Sequence, residues 1–250
     1  MPKLAASVTF LFGEVDLLDR FALASRVGFR AVEIQRPYTE PAAAIAREVE
    51  RNDLETVLMN LPDSGGAVPG QEREFQAALD HALEYADATG CRLLHCLAGD
   101  TDAPEAESTF VNNLNRGAER AARLGVSLLV EPINTTDRPD YFLTRTTQAR
   151  RIIDAVEADN IGLQLDLYHT QIMEGSLARA IEMHRDVIRH FQVAGVPGRG
   201  EPDAEQEINY AFLLDLIDRL GFDGWVGCEY WPRAETVAGL AWARPYGIDA

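Results

Sequence analysis

Basic residues are scarce in this chain: 23 lysines and arginines stand against 40 acids, for a formal net charge of −17 over 250 residues. A protein that grips a phosphate backbone needs a basic face to gain from counterion release, so no nucleic acid partner is expected. A small anion stays open, because one arginine or one bound metal ion reverses the field locally whatever the global sum. Cysteine is scarce too. Cys91, Cys96 and Cys228 form an odd set with no CxxC spacing, which speaks against a disulfide framework or a thiolate zinc site and leaves them as small core residues. No apolar run approaches the roughly 20 residues needed to cross a bilayer, and the opening MPKLAASVTFLFGE has no long apolar stretch before its acids. A cytoplasmic protein with no membrane partner is expected. Linker-like and low-complexity segments are missing as well, so residues 1–250 are expected to form one domain.

What the chain does have is a regular alternation of short apolar runs and amphipathic stretches. Strand-like runs fall at 4–12, 31–35, 55–60, 92–97, 126–131, from 161, at 188–194 and at 225–229. Helical spacing occupies 16–27, 41–52, 72–89, 104–124, 146–156, 177–187 and 207–220, and Gly28, Gly90 and Gly125 supply stops. The stretch LPDSGGAVPG within 61–71 cannot be a regular element, and such a loop either lids a site or covers a surface. The last segment, 235–243, is short, so the final helix is abbreviated or the tail serves subunit packing. Eight strands, each followed by a helix-sized crossover, close rather than wind open. The fold expected is α/β, a single (β/α)8 TIM barrel.

The stretch IGLQLDLYHT is the most informative. Its leucines alternate with Gln164 and Asp166, so at period two the polar pair shares one face of a strand. A carboxylate on the inner face of a buried strand is costly unless something charged receives it. Three neighbouring runs end the same way: LLVEP at Glu131, HFQVAG with Gln192 and VGCEY at Glu229. In this fold such ends share one rim, where active sites lie. A lone glutamate at a strand end is ordinarily a cap or an ion-pair partner. Three carboxylates on one rim would repel each other without a cation, and with an amide oxygen they form a donor set for Mg²⁺ or Mn²⁺. His169 follows in the turn leaving its strand, either as a satisfied rim histidine or as part of the site. Gly198 and Gly200 flank Arg199, which can then reach across the mouth to a carboxylate, steadied by Glu201 and Glu207. His81 and His184 fall in helices as structural residues, whereas His95 and His190 lie in strands and can face inward.

The segments FLFGE, LMNLP, EPIN, QLDLYHTQIMEG, GRGEP, EINY and GWVGCEY, in this order from about residue 7 to 246, resemble the hydroxypyruvate isomerase family within the xylose-isomerase-like TIM barrels. The resemblance implies metal ligands at Glu131, Asp166, Gln192 and Glu229, with Glu131 and Glu229 also the acid/base pair. It implies substrate contacts at His169, Arg199 and Asn60. Two departures stand out: Met59 occupies a position where relatives often carry histidine, and the loop 63–70 is shorter than in some. The implied reaction interconverts hydroxypyruvate and tartronate semialdehyde through a cis-enediolate, with a small anionic hydroxy- or oxo-acid as substrate. A 2-oxo-tetronate isomerase or a ketose epimerase of the same superfamily is the alternative, and a metal-dependent endonuclease on the same barrel is disfavoured by five histidines and the acidic balance. A homo-oligomer is a further expectation, with Trp231, Trp242 and Tyr246 either a contact patch or a cover over the barrel's own core.

Overall fold

The computed structural model describes residues 1–249; Ala250, the last residue of the expected 1–250 domain, lies outside the described residues. Eight strands, β1 (Lys3–Ser7), β2 (Ala31–Ile34), β3 (Glu55–Asn60), β4 (Leu93–His95), β5 (Ser127–Val130), β6 (Ile161–Asp166), β7 (Ile188–Val193) and β8 (Trp225–Cys228), close in chain order into a parallel barrel. The crossovers carry helices α1 (Leu17–Arg26), α2 (Ala42–Arg51), α3 (Glu72–Thr89), α4 (Ala106–Arg123), α5 (Thr146–Ala155), α6 (Leu167–Met173), α7 (Leu177–His184) and α8 (Tyr210–Arg219), with α9 (Thr236–Gly239) after β8. Each long helix turns one apolar stripe to the strands. Phe75, Leu79, Ala82 and Ala86 of α3 are all buried, as the spacing predicts. The expected TIM barrel is the fold observed. Among the described residues no helix is long and apolar enough to cross a membrane.

Register shifts interrupt two strand pairs, between Val32 and Glu33 on β2 and between Leu163 and Gln164 on β6. A bulge re-aims the side chain beside it. Here each sits next to a buried polar residue whose side chain joins the hydrogen-bonded network between the strands.

Three of the boundaries that differ from the expectation have a clear local reason. The first strand stops at Ser7 rather than running to residue 12, because Phe10 and Leu11 turn their amides back onto the Ser7 carbonyl and Arg20 donates to the Val8 carbonyl at 2.8 Å. Apolar composition alone cannot separate a strand from a buried turn. The 61–71 stretch is irregular, as expected, and is stapled down at its centre: Gly66 donates to the Leu97 carbonyl and Asn113 Nδ2 donates to the Gly66 carbonyl at 2.8 Å, under the rings of Phe75 and Phe110. Residues 168–170 belong to helix α6 instead of a turn, since Asp166 caps it, its Oδ1 accepting from the Tyr168 amide at 2.8 Å. Helix α8 starts at Tyr210, three residues later than expected, because the Asn209 side chain caps there by accepting from the Phe212 amide.

The tail packs against its own barrel. Asp249 donates its amide to the Val27 carbonyl at 2.8 Å, and Gly28, at φ +103°, passes so close to the Gly247 carbonyl that a Cβ would sit 2.9 Å from it. Trp242 stands against Tyr230 and Tyr246 with ring centroids 6.2 Å from each, whereas Trp231 meets Phe10 at 4.5 Å with the rings tilted by 50° and stays 55% exposed.

Candidate active site

A cavity of about 590 Å³ opens at the C-terminal end of the barrel, and Glu131, Glu229, His169, Arg199 and Asn60 all line it. Glu131 follows β5, Asp166 ends β6, Gln192 lies in β7 and Glu229 follows β8, so consecutive strands carry the four to one place. All four are buried. Taking a carboxylate out of water favours its neutral form, and a second carboxylate nearby does the same. Burial pushes the Glu131 carboxyl well above its ordinary range, with the charges of Glu229 and Asp166 adding to it. The same burial raises Asp166 to about 6 and Glu229 to about 8, although the Arg199 guanidinium pulls both downward.

Asp166 divides its two oxygens between two tasks. Oδ1 caps α6, while Oδ2 is buried with no hydrogen-bond partner. Single ligand atoms of Glu131, Asp166 and His169 lie within 4.8 Å of one another, close enough for one ion to be shared. A buried acceptor without a donor, set among carboxyls that burial forces toward protonation, fits a hard divalent cation.

His169 fits that group as a donor beside the ion better than as a ligand of it. The Asp137 amide donates to Asn134 Oδ1 at 2.8 Å, which leaves the Asn134 amide nitrogen facing His169 Nδ1 at 2.6 Å. Burial, with Arg199 nearby, holds this imidazole well below its ordinary range and therefore neutral. A neutral ring that accepts at Nδ1 carries its hydrogen on Nε2. That Nε2 stands 3.6 Å from Asp166 Oδ2. His95 lies on the other side of the cluster, Nδ1 3.3 Å from Glu131 Oε2, and burial lowers it to about 3, so this close approach is no ion pair.

Arg199 takes φ 52° between its two glycines and turns its guanidinium inward. Its Nη2 stands 2.5 Å from Glu229 Oε1 and 3.7 Å from Asp166 Oδ2, over the rings of Phe10 and Tyr168. The expected Glu201 support goes elsewhere, to Arg233 at 2.7 Å. Two further guanidiniums line the cavity. Arg138 is held by Asp100 at 2.6 Å and Asp63 at 3.3 Å, while Arg36 makes no ion pair among the described residues. Asn60 Oδ1 is buried without a donor, and Met59 is in the apolar core rather than on the cavity wall.

Gln192 presents its amide nitrogen, not its oxygen, to Glu229, in a short contact with Oε2; its oxygen accepts from Gln164 Nε2 at 2.6 Å. Gln35 donates to the same Glu229 oxygen at 3.0 Å. Below them lies Glu33, which the sequence reading passed over together with Gln35, Arg36 and Arg138. The signal for Glu33 was present, since AVEIQ sets an acid inside an apolar strand just as LQLDL does.

The chain matches the xylose isomerase-like TIM barrel family model over residues 21–246. It is 43% identical to a 2-oxo-tetronate isomerase of Cupriavidus necator over 98% of this chain and 99% of that one. Identity to a hydroxypyruvate isomerase of Escherichia coli is 40%, over 98% and 100%. A solved structure from Brucella melitensis, titled as an AP endonuclease of family 2, superposes with a TM-score of 0.96 at 43% identity, over 99% of this chain and all of that one. This chain belongs to the xylose isomerase-like TIM barrel family.

Proposed function

We propose that this chain is a divalent-metal-dependent isomerase of small hydroxy-oxo acids, interconverting hydroxypyruvate and tartronate semialdehyde. Isomerase is the class named for both the Cupriavidus necator and the Escherichia coli relatives, and the chain is an isomerase of that family. The observation that carries the reading is the crowding of Glu131, Asp166 and Glu229, with Asp166 Oδ2 making no hydrogen bond, beside a cavity that Glu131 and Glu229 line and that is large enough for a small acid. Glu131, Asp166 and Glu229 would hold the ion; Gln192, the fourth expected ligand, turns its amide nitrogen to Glu229 and its oxygen to Gln164, so it would steady Glu229 rather than ligate. When bound, Mg²⁺ or Mn²⁺ would supply Lewis-acid stabilisation of the charge that develops on two adjacent substrate oxygens.

The protein's own groups do the proton work. One of Glu131 and Glu229 takes the proton from the hydroxymethyl carbon, giving a cis-enediolate, and the other returns a proton to the neighbouring carbon; each is a buried carboxyl whose raised affinity for protons suits such exchange. The hydroxyl proton moves from one enediolate oxygen to the other, with His169 Nε2–H as the donor within reach. Arg199 and the unpaired Arg36 are the cations for the substrate carboxylate.

The four-carbon 2-oxo-tetronate is the second reading, favoured by 43% and 37% identity to two relatives of that name. An endonuclease role is disfavoured by the net charge of −17. Assay of chelator-treated protein with and without Mn²⁺ or Mg²⁺, on both acids side by side, tests the proposal. Metal-restored turnover of hydroxypyruvate is expected. Preference for the four-carbon acid moves the substrate, and turnover of neither removes the function.

A further inference from the structure

Glu33 is wholly buried within the barrel, one layer below the carboxyl cluster. Three N–H donors converge on it: Gln35 Nε2 at 2.8 Å and Gln192 Nε2 at 3.1 Å on Oε1, and His190 Nε2 at 2.8 Å on Oε2. Gln35 and Gln192 each use the same amide nitrogen to reach Glu229 Oε2. Both glutamines therefore bridge Glu33 to Glu229. An ionised carboxylate only accepts, so it admits the NH₂ end of an amide and rejects the carbonyl end. The two amide oxygens are consequently turned away, to Ser7 Oγ at 2.7 Å for Gln35 and to Gln164 for Gln192.

The barrel makes room for this carboxylate. Gly227 of β8 faces it, and a Cβ there would come closer than 3.0 Å to both Glu33 oxygens. The register shift beside Glu33 lies in the same layer.

We infer that Glu33 is a positioning residue: it fixes which end of Gln192 and Gln35 faces upward, and through them it holds Glu229 Oε2 in place while Arg199 holds Oε1. The inference rests on the isomerase and metal reading of the site above it. In Glu33→Gln the shape is kept, but three N–H groups then meet one acceptor and one NH₂. One of the two glutamines must turn over or lose its bond.

Glu33→Gln and Gly227→Ala are the test variants, the second displacing the carboxylate without removing it. Each is checked for folding by circular dichroism and compared with wild type in Mn²⁺ titration calorimetry and in steady-state kinetics. Outer partners of metal ligands are worth roughly 10–100-fold in affinity or activity; the expected result is Mn²⁺ affinity weakened by about tenfold and kcat lowered by about 10–100-fold, with KM changed less than about threefold. A folded Glu33→Gln with wild-type Mn²⁺ affinity and kcat overturns the inference, and so does a wild-type protein that binds no Mn²⁺. If Glu33→Gln does not fold, Gly227→Ala decides by the same two readouts. The titration needs no substrate, so wild-type protein that binds Mn²⁺ yet turns over neither acid removes the function and still judges Glu33.

Discussion

Two layers of buried carboxyls lie in one barrel and are treated in opposite ways. In the lower layer Glu33 has three N–H donors and a glycine cut out to admit it. In the upper layer Glu131, Asp166 and Glu229 are crowded, pushed toward protonation by burial, and left with an unmet acceptor on Asp166. A buried carboxylate whose two oxygens are both met is held in place, whereas an unmet oxygen among crowded carboxyls marks a place where a ligand is to supply what the protein withholds. The contrast separates the part of the barrel that holds from the part that reacts. It also explains why a deep polar layer exists at all: Gln35 and Gln192 carry the order of the lower layer up to Glu229.

Substitutions that act on one layer at a time sharpen this contrast. The largest effect is expected for Glu229→Gln, which removes a proton-transfer group: kcat should fall by roughly 10²–10⁴-fold with the fold intact. Isomerisation near wild type would remove Glu229 from the chemistry. A smaller effect is expected at the cavity wall, where Arg36→Gln removes the unpaired guanidinium: KM for the acid substrates should rise by about tenfold with kcat little changed, as for loss of a charge-assisted contact. An unchanged KM would leave the carboxylate to Arg199 alone. The smallest is a slope in stability. A carboxyl whose folded-state pKa is raised, as for Glu229 from 4.5 to about 8, makes the folded state bind its proton more tightly, so stability falls as pH climbs through that window. Thermal unfolding of chelator-treated protein should show a midpoint declining from about pH 5 to pH 8, and Mn²⁺ should flatten the decline. A midpoint that rises with pH would mean that the upper layer is already compensated by the protein.

Most of the barrel was legible because parallel strands buried on both faces and amphipathic crossovers leave strong periodic signals. The upper layer was legible for a related reason: Glu131, Asp166 and Glu229 interrupt apolar runs at equivalent strand ends. Glu33 breaks such a run too, within AVEIQ, but it sits before the strand end and so does not mark the rim. The helix at 167–173 was missed because its start depends on one Asp166 oxygen serving as a cap, which no periodicity over seven residues reveals. The inward turn of Arg199 depends on Glu229 and Asp166 meeting it across the barrel mouth. The tautomer of His169 depends on Asp137 orienting Asn134, two bonds away in space. These are properties of closure, and strand spacing does not encode them.

The most direct test of the contrast is calorimetric titration of the chelator-treated protein with Mn²⁺ at pH 7, repeated in buffers that differ in heat of ionisation. If the upper layer waits for a cation, its carboxyls hold protons that the ion must displace, Glu229 with a pKa of about 8 foremost. Binding should release about one proton or more per ion. Binding that releases none, or no binding, would contradict the account.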